Sequence, residues 1–208
     1  MKKFYFAILS VLLFAVTGFA QTQTITYNNG GTYQWTPPCG VTSFSVQAWG
    51  AGAGGYSWQG GGGGGGGAYA ASTNIPVIYG NTYTIVVGQG ASRGSGEAGG
   101  TTSFGGNLVK AEGGGIASIT TGGRSTGTYS IGQIRYAGGN GGGSTSANEG
   151  AGGGGSAGAS GPGGNGYPPS GNSGGAGGLG GPGGGAAGGQ GGKKYSDCLL
   201  YTSDAADE

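Results

Sequence analysis

Gly50, Gly52 and Gly55 follow an alternating run that ends at Trp49. Their G-x-G-x-x-G spacing is the one that brings a dinucleotide's pyrophosphate to a helix N-terminus. That chemistry needs a helix where the glycines end, because the first helical amides hold the phosphate. Residues 56–59 instead read YSWQ, and residues 60–67 are glycine throughout. Each glycine costs about 1 kcal/mol in a helix interior relative to Ala, so this run forbids the helix. In a stretch about half glycine, the three required glycines recur by chance at about one start in eight, so the match has little weight. No Asp or Glu between residues 56 and 95 is available to hold a ribose. Gly192-Lys193 is followed by Lys194 rather than Ser or Thr, which removes a P-loop.

Other chemistries lack their parts. The chain has no His, two cysteines and seven acidic residues dispersed along its length. Neither a metal cluster nor a Ser/His/Asp or Cys/His arrangement can be assembled from these. The expectation is a non-enzymatic protein with no catalytic residue, cofactor or metal. A net charge of +1 supplies no basic stripe, so nucleic acid is not expected as a partner. Tyr56 and Trp58 remain, at the turn of the first glycine insertion. Aromatic rings among glycines can stack on sugar rings, which makes these two the candidate ligand contacts. The alternative, which we favour, is that they fold back over the adjoining structure and bury their large area there.

The two ends of the chain differ from its body. Lys2-Lys3, an apolar stretch over residues 4–16 and Gly18-Phe19-Ala20 together form the pattern of a secretory signal peptide cleaved before Gln21. The expected site is therefore secreted or cell-surface, with no membrane span once the signal peptide is removed. CLLYTSDAADE, residues 198–208, reads like the in-frame translation of a transposase mosaic-end adapter used in sequencing libraries. On that reading Cys198 is not natural, residues 193–197 are the truncated end of the natural sequence, and the gene continues beyond them. Cys39 is then a lone cysteine, open to pairing with a cysteine beyond the break or between chains, and expected first to be a small buried residue.

The elements that must position any site are short strands. Tyr33 and Trp35 alternate after Asn28-Asn29-Gly30-Gly31, with Ile25 and Tyr27 before it, which predicts a hairpin. Phe44, Val46 and Ala48 alternate with polar residues, as do Tyr83, Ile85 and Val87 after a Gly80-Asn81 turn. Further strands are predicted over residues 68–72, 101–104, 108–112 and 128–136. No window after the signal peptide has a 3.6-residue stripe. Residues 21–136 therefore read as an all-β antiparallel sandwich with a glycine insertion at 50–67. Its expected core includes Trp35, Phe44, Trp49 and Ile85.

Residues 137–192 form a second segment. About half of them are glycine, and 151–192 carry no charge. Gly171, Gly174, Gly177, Gly180 and Gly183 recur at a period of three. Collagen needs an unbroken G-X-Y repeat and much proline, and neither is present. Two readings stay open: a disordered linker, and a bundle of polyglycine II helices whose backbones bond laterally, which we favour.

YQWTPPCGVTSFSVQAWGAGAGG, then GAYA, GNTYTIVVGQGA and GGTTSFGGNLVKAEGGG, in that order, resemble a bacterial and phage glycine-rich domain family over about residues 25–192. More distantly, YTIVVGQGA and the glycine clusters are similar to the glycine-rich extracellular region of anaplastic lymphoma kinase and leukocyte tyrosine kinase. The resemblance implies a jelly-roll-like sandwich with polyglycine II helices inserted between its strands. It also implies exported surface or tail-fibre proteins rather than enzymes, with no shared catalytic residues. Two functions follow as expectations: a structural or adhesive module of a larger exported protein, or a module that binds surface glycan or a receptor through loops at one end of the sandwich. Ice binding is a distant third, and no regular Thr row over 138–192 supports it.

Overall fold

Period-two alternation builds the strands where it is present and releases them where glycine replaces it. The computed structural model describes residues 22–56, 60–92, 94, 96–145, 148–170 and 173–192, so the leader, Trp58 and residues 193–208 lie outside the described residues. No helix is present among those described. Seven strands run in order: β1 (Gly31–Trp35), β2 (Ser43–Trp49), β3 (Tyr69–Pro76), β4 (Tyr83–Val87), β5 (Thr102–Phe104), β6 (Val109–Ala111) and β7 (Ile134–Tyr136). They form two antiparallel sheets, β1-β4-β5-β6 and β2-β3-β7. The fold is an all-β sandwich.

The sheets meet through four rings. Trp35, Tyr83 and Phe104 come from the four-stranded sheet and Phe44 from the other, with every pair of centroids between 5.1 and 6.0 Å. Ile85, Val109, Ala111, Ala48 and Ala70 complete this core, with Val46 packed against it. The alternation at 44, 46 and 48 is thus read correctly. Trp49 is not part of this core. Its odd position puts it on the opposite face of β2, where it is 37% exposed and packs on Tyr69 at 5.0 Å. The hairpin over 25–35 does not form either. Residues 22–28 carry no strand, and β1 pairs with β4, setting Trp35 opposite Tyr83. The distant partner prevails because it buries rings that an isolated two-stranded hairpin leaves in water. Tyr27 packs at the margin of the core, with its ring 4.9 Å from that of Tyr33.

At Trp49 the alternation stops but the register continues. Trp49 faces Tyr69. Beyond it the Gly50 amide donates to Ala68 at 2.8 Å, Ala53 to Gly65 at 2.9 Å and Tyr56 to Gly62 at 2.9 Å. The β2–β3 pair therefore runs on as two glycine-rich rods, 50–56 and 60–68, bonded at every third residue. The β3–β7 pair does the same: Tyr69 faces Tyr136, then Gly66 donates to Gly139 and Gly63 to Gly142. Rod 60–68 also donates from Ala68, Gly65 and Gly62 to Glu112, Gly115 and Ser118, and accepts from Ala151, Gly154 and Ala157. A second inner rod, 150–158, donates along three sides. Gly152, Gly155 and Gly158 reach Tyr167, Gly164 and Gly161, while Gly150, Gly153 and Ser156 reach Gly192, Gly189 and Ala186.

Lateral bonding on several sides leaves no direction for a side chain. A Cβ on Gly67 would fall on the Gly50 carbonyl oxygen, one on Gly63 on that of Gly152, and one on Gly154 on that of Gly139. Side chains larger than a methyl group stand mainly where a rod faces water. In the outer rods 161–168 and 173–182, the exposed residues include Pro162, Asn165 and Pro168, and Ser173, Ala176, Leu179 and Pro182, each three apart. The other face of β3 closes the join: Tyr69 and Ala71 pack on Ala157, so this sheet is covered by the sandwich core on one side and by the rods on the other.

Two substitution tests follow. Phe44→Ala removes the ring that ties the sheets together and should lower stability by about 2–5 kcal/mol in urea unfolding. An unchanged midpoint would refute the cluster's role. Gly177→Val places side-chain atoms on the Gly188 carbonyl oxygen and should separate those rods, at about 1–3 kcal/mol for each group left unpaired. Leu179→Ser, two residues on and 80% exposed, should be nearly silent in the same urea unfolding. Equal effects from the two would contradict the lateral packing.

Candidate functional site

Tyr56 sits at the far end of rod 50–56, and Trp58 lies outside the described residues. The Tyr56 ring lies against Gly96, where a Cβ would come within 2.8 Å of its Cδ2, and the Gly96 amide donates to Gly55 at 3.3 Å. Gly96 also holds φ of +65°, a conformation that favours glycine. Tyr56 is half-buried, with one face on the rods and the remainder in water. The contacts described for Tyr56 are with the backbone of Gly61, Gly62 and Gly96.

The opposite end of the molecule is built differently. Every strand but β1 runs into a glycine-rich segment at one end of the sandwich, and the loops 36–42, 77–82 and 105–108 gather at the other. Between the last two lies a groove of about 470 Å³, with Ile75, Pro76, Ile78, Tyr83 and Leu108 as its apolar lining and Asn81, Thr82 and Thr84 as polar lining. The turns that shape it use glycine in the left-handed region, Gly80 at φ +75° and Gly105 and Gly106 at +57° and +71°. The Asn81 amide closes one turn on the Ile78 carbonyl at 3.1 Å. Ile78 and the neighbouring Tyr79 stay about two-thirds exposed. An apolar floor with a polar side and a projecting phenol suits a ligand with flat apolar faces and hydroxyl edges. Sequence reasoning missed this group, although the signal was there: Ile78-Tyr79 stands directly before the Gly80-Asn81 turn, where a loop is usually polar.

Cys39 belongs to this same end. It is exposed in the β1–β2 loop, not the small buried residue expected. Pro37-Pro38 and Gly40, at φ +88°, turn the chain outward there, and the Val41 amide bonds back to Pro38 at 3.3 Å. A smaller cleft of about 390 Å³ lies beside the rods, with Glu112, Arg124, Thr101 and Thr126 among its lining. The Glu112 carboxylate accepts the Tyr129 amide at 2.9 Å, which gives it a structural task. Among the described residues no three metal-ligating side chains come together.

A sandwich whose strands run on into laterally bonded glycine rods defines the class of this protein. The glycine-rich domain family model matches residues 26–205, and the chain belongs to that family. Comparison with curated proteins finds no match. No helix of the described residues is long and apolar enough to cross a membrane.

The seam between sandwich and rods carries a titratable group. Tyr69 is 2% exposed, between Trp49 and, at 6.3 Å, Tyr136. Burial first, and then the neighbouring Tyr136, push its phenol above the ordinary value of 10.0. A raised folded-state pKa favours the folded protein's proton, so this contribution is complete below about pH 10 and is lost as pH rises through the folded value. Tyr69→Phe has no proton to release and should flatten the fall in melting temperature above about pH 10. The same alkaline slope in both proteins would show that Tyr69 is not the group responsible.

Proposed function

We propose that this protein is a non-enzymatic exported module, a structural and adhesive part of a larger secreted or cell-surface protein. The observation that supports it most is the unbroken register from sheet into rods, which ties the glycine segments to a folded scaffold. We read the rods as polyglycine II helices, since three residues per turn is the repeat of that extended left-handed helix. The sandwich is read as jelly-roll-like in connectivity. Such a body offers a protease little: every backbone amide of inner rod 150–158 is engaged, and residues 151–192 contain no Lys or Arg. Residues 1–20 are the signal that sends it out of the cell, and the cleaved chain keeps no membrane span.

A second reading is favoured by the groove between loops 77–82 and 105–108. There the module binds a surface glycan or receptor, with Tyr79 stacking on a sugar face beside Tyr83 and Leu108. Tyr56 and Trp58 are the alternative contacts, at the other end of the molecule. One experiment separates the readings: a glycan array probed with the chain from Gln21 and with its Tyr79→Ala and Tyr56→Ala variants. The structural module predicts no saturable signal from any of the three, together with resistance to a broad-specificity protease. A saturable signal lost in Tyr79→Ala alone would establish the groove, and one lost in Tyr56→Ala alone would establish the rod tip. Rapid trimming of everything after about Tyr136 would overturn the rigid body itself.

A further inference from the structure

The rods bond to one another through backbone alone, and that raises the question of where the array stops. An edge rod is in the position of an edge strand: it offers donors and acceptors to any similar chain that arrives. Rods 161–168 and 173–182 form such an edge. They are bonded to each other, Gly164 to Leu179 at 2.7 Å and Tyr167 to Ala176 at 2.9 Å, and to inner rod 150–158 through Gly175, Gly178 and Gly181. Among the described residues, the Ala176 and Leu179 amides have no protein acceptor. Charge does not guard this face, because residues 151–192 carry none.

Side chains do guard it. At the inward positions of rod 173–182, a Cβ on Gly174, Gly177 or Gly180 would meet a carbonyl of rod 185–192, and one on Gly175 or Gly178 a carbonyl of rod 161–168. The remaining phase holds Ala176, Leu179 and Pro182, all exposed. On the neighbouring rod the exposed phase holds Pro162, Asn165 and Pro168. Leu179 keeps 80% of its surface in water, where burial would stabilise it, so its position is not explained by packing within this chain. Pro162, Pro168 and Pro182 also lack the N–H that a further rod would need. We propose that this row is an edge guard, and that the partner it excludes is the corresponding edge of a second copy of the chain.

The guard makes a directional claim about association. The triple variant Ala176→Gly/Leu179→Gly/Pro182→Gly leaves every inward glycine in place and gives the edge the character of an inner rod. In sedimentation velocity on the chain from Gln21, the wild type should keep one sedimentation coefficient over a hundredfold concentration range. The variant should show a weight-average coefficient that rises with concentration, with added hydrogen-exchange protection confined to residues 162–182. Leu179→Lys, which keeps a side chain in the row, should sediment like the wild type. A folded triple variant that stays monomeric overturns the proposal, as does a wild type that already associates through residues 162–182. Should the triple variant lose its circular-dichroism signal, the single Leu179→Gly is read by the same criteria, and its remaining monomeric and folded is equally decisive against the guard.

Discussion

A carbonyl oxygen occupies the place where a Cβ would be. That one substitution of backbone for side chain governs the glycine-rich part of the molecule. It is seen at Gly67 against Gly50, at Gly154 against Gly139 and at Gly177 against Gly188. A strand in a sheet bonds to neighbours in one plane and keeps its side chains above and below it. An inner rod here bonds to neighbours around its axis, so the directions a sheet leaves to side chains are taken by other backbones. Alanine enters only where such a gap remains, as at Ala68, Ala151 and Ala157, which are buried to 1% exposure or less.

Such an array is close to balance on its own terms. Ordering a residue costs about 1–2 kcal/mol of backbone entropy, while a hydrogen bond returns about 0.5–1.5 net. The sandwich tips that balance by delivering chain segments already paired and in register. Strand β3 is central to this. On one face its Ala70 lies in the four-ring core, on the other Tyr69 and Ala71 pack on Ala157, and before it rod 60–68 bonds to the rods around it. The sheet's one irregularity stays away from that join. The register shift falls between Phe44 and Val46, and across from it Asn74 holds φ of 55°, a conformation that Asn tolerates better than most residues.

The polarity of the molecule follows from the same arrangement. Because the strands after β1 run into the rods at one end, the loops with freedom to vary collect at the other. The groove lined by Ile75, Tyr83 and Leu108, the projecting Tyr79 and the exposed Cys39 are consequences of that segregation. In the outer rods 161–168 and 173–182, Asn165, Leu179 and the prolines stand on the exposed phase.

The sequence by itself determined the class of the fold and the spacing of the glycines. Alternation at Phe44, Val46 and Ala48 and at Tyr83 and Ile85 marked the core face, since period two is a local property of extended backbone. The three-residue repeat of Gly174, Gly177 and Gly180 announced lateral contact for a similar reason. What it could not determine was partnership. The Asn-Asn-Gly-Gly turn favoured a local hairpin, yet β1 took β4, fifty residues away, because ring burial with Tyr83 and Phe104 outweighs a short loop. Trp49 was misplaced by its hydrophobicity, when its parity put it with Tyr69 on the rod side. The groove escaped notice because Ile78 and Leu108 are far apart in the chain and line one cleft only once β3–β4 and β5–β6 turn at the same end. Local periods are written in consecutive residues, whereas pairings and clefts depend on which distant surfaces bury most when they meet, and that is decided only in the assembled tertiary structure.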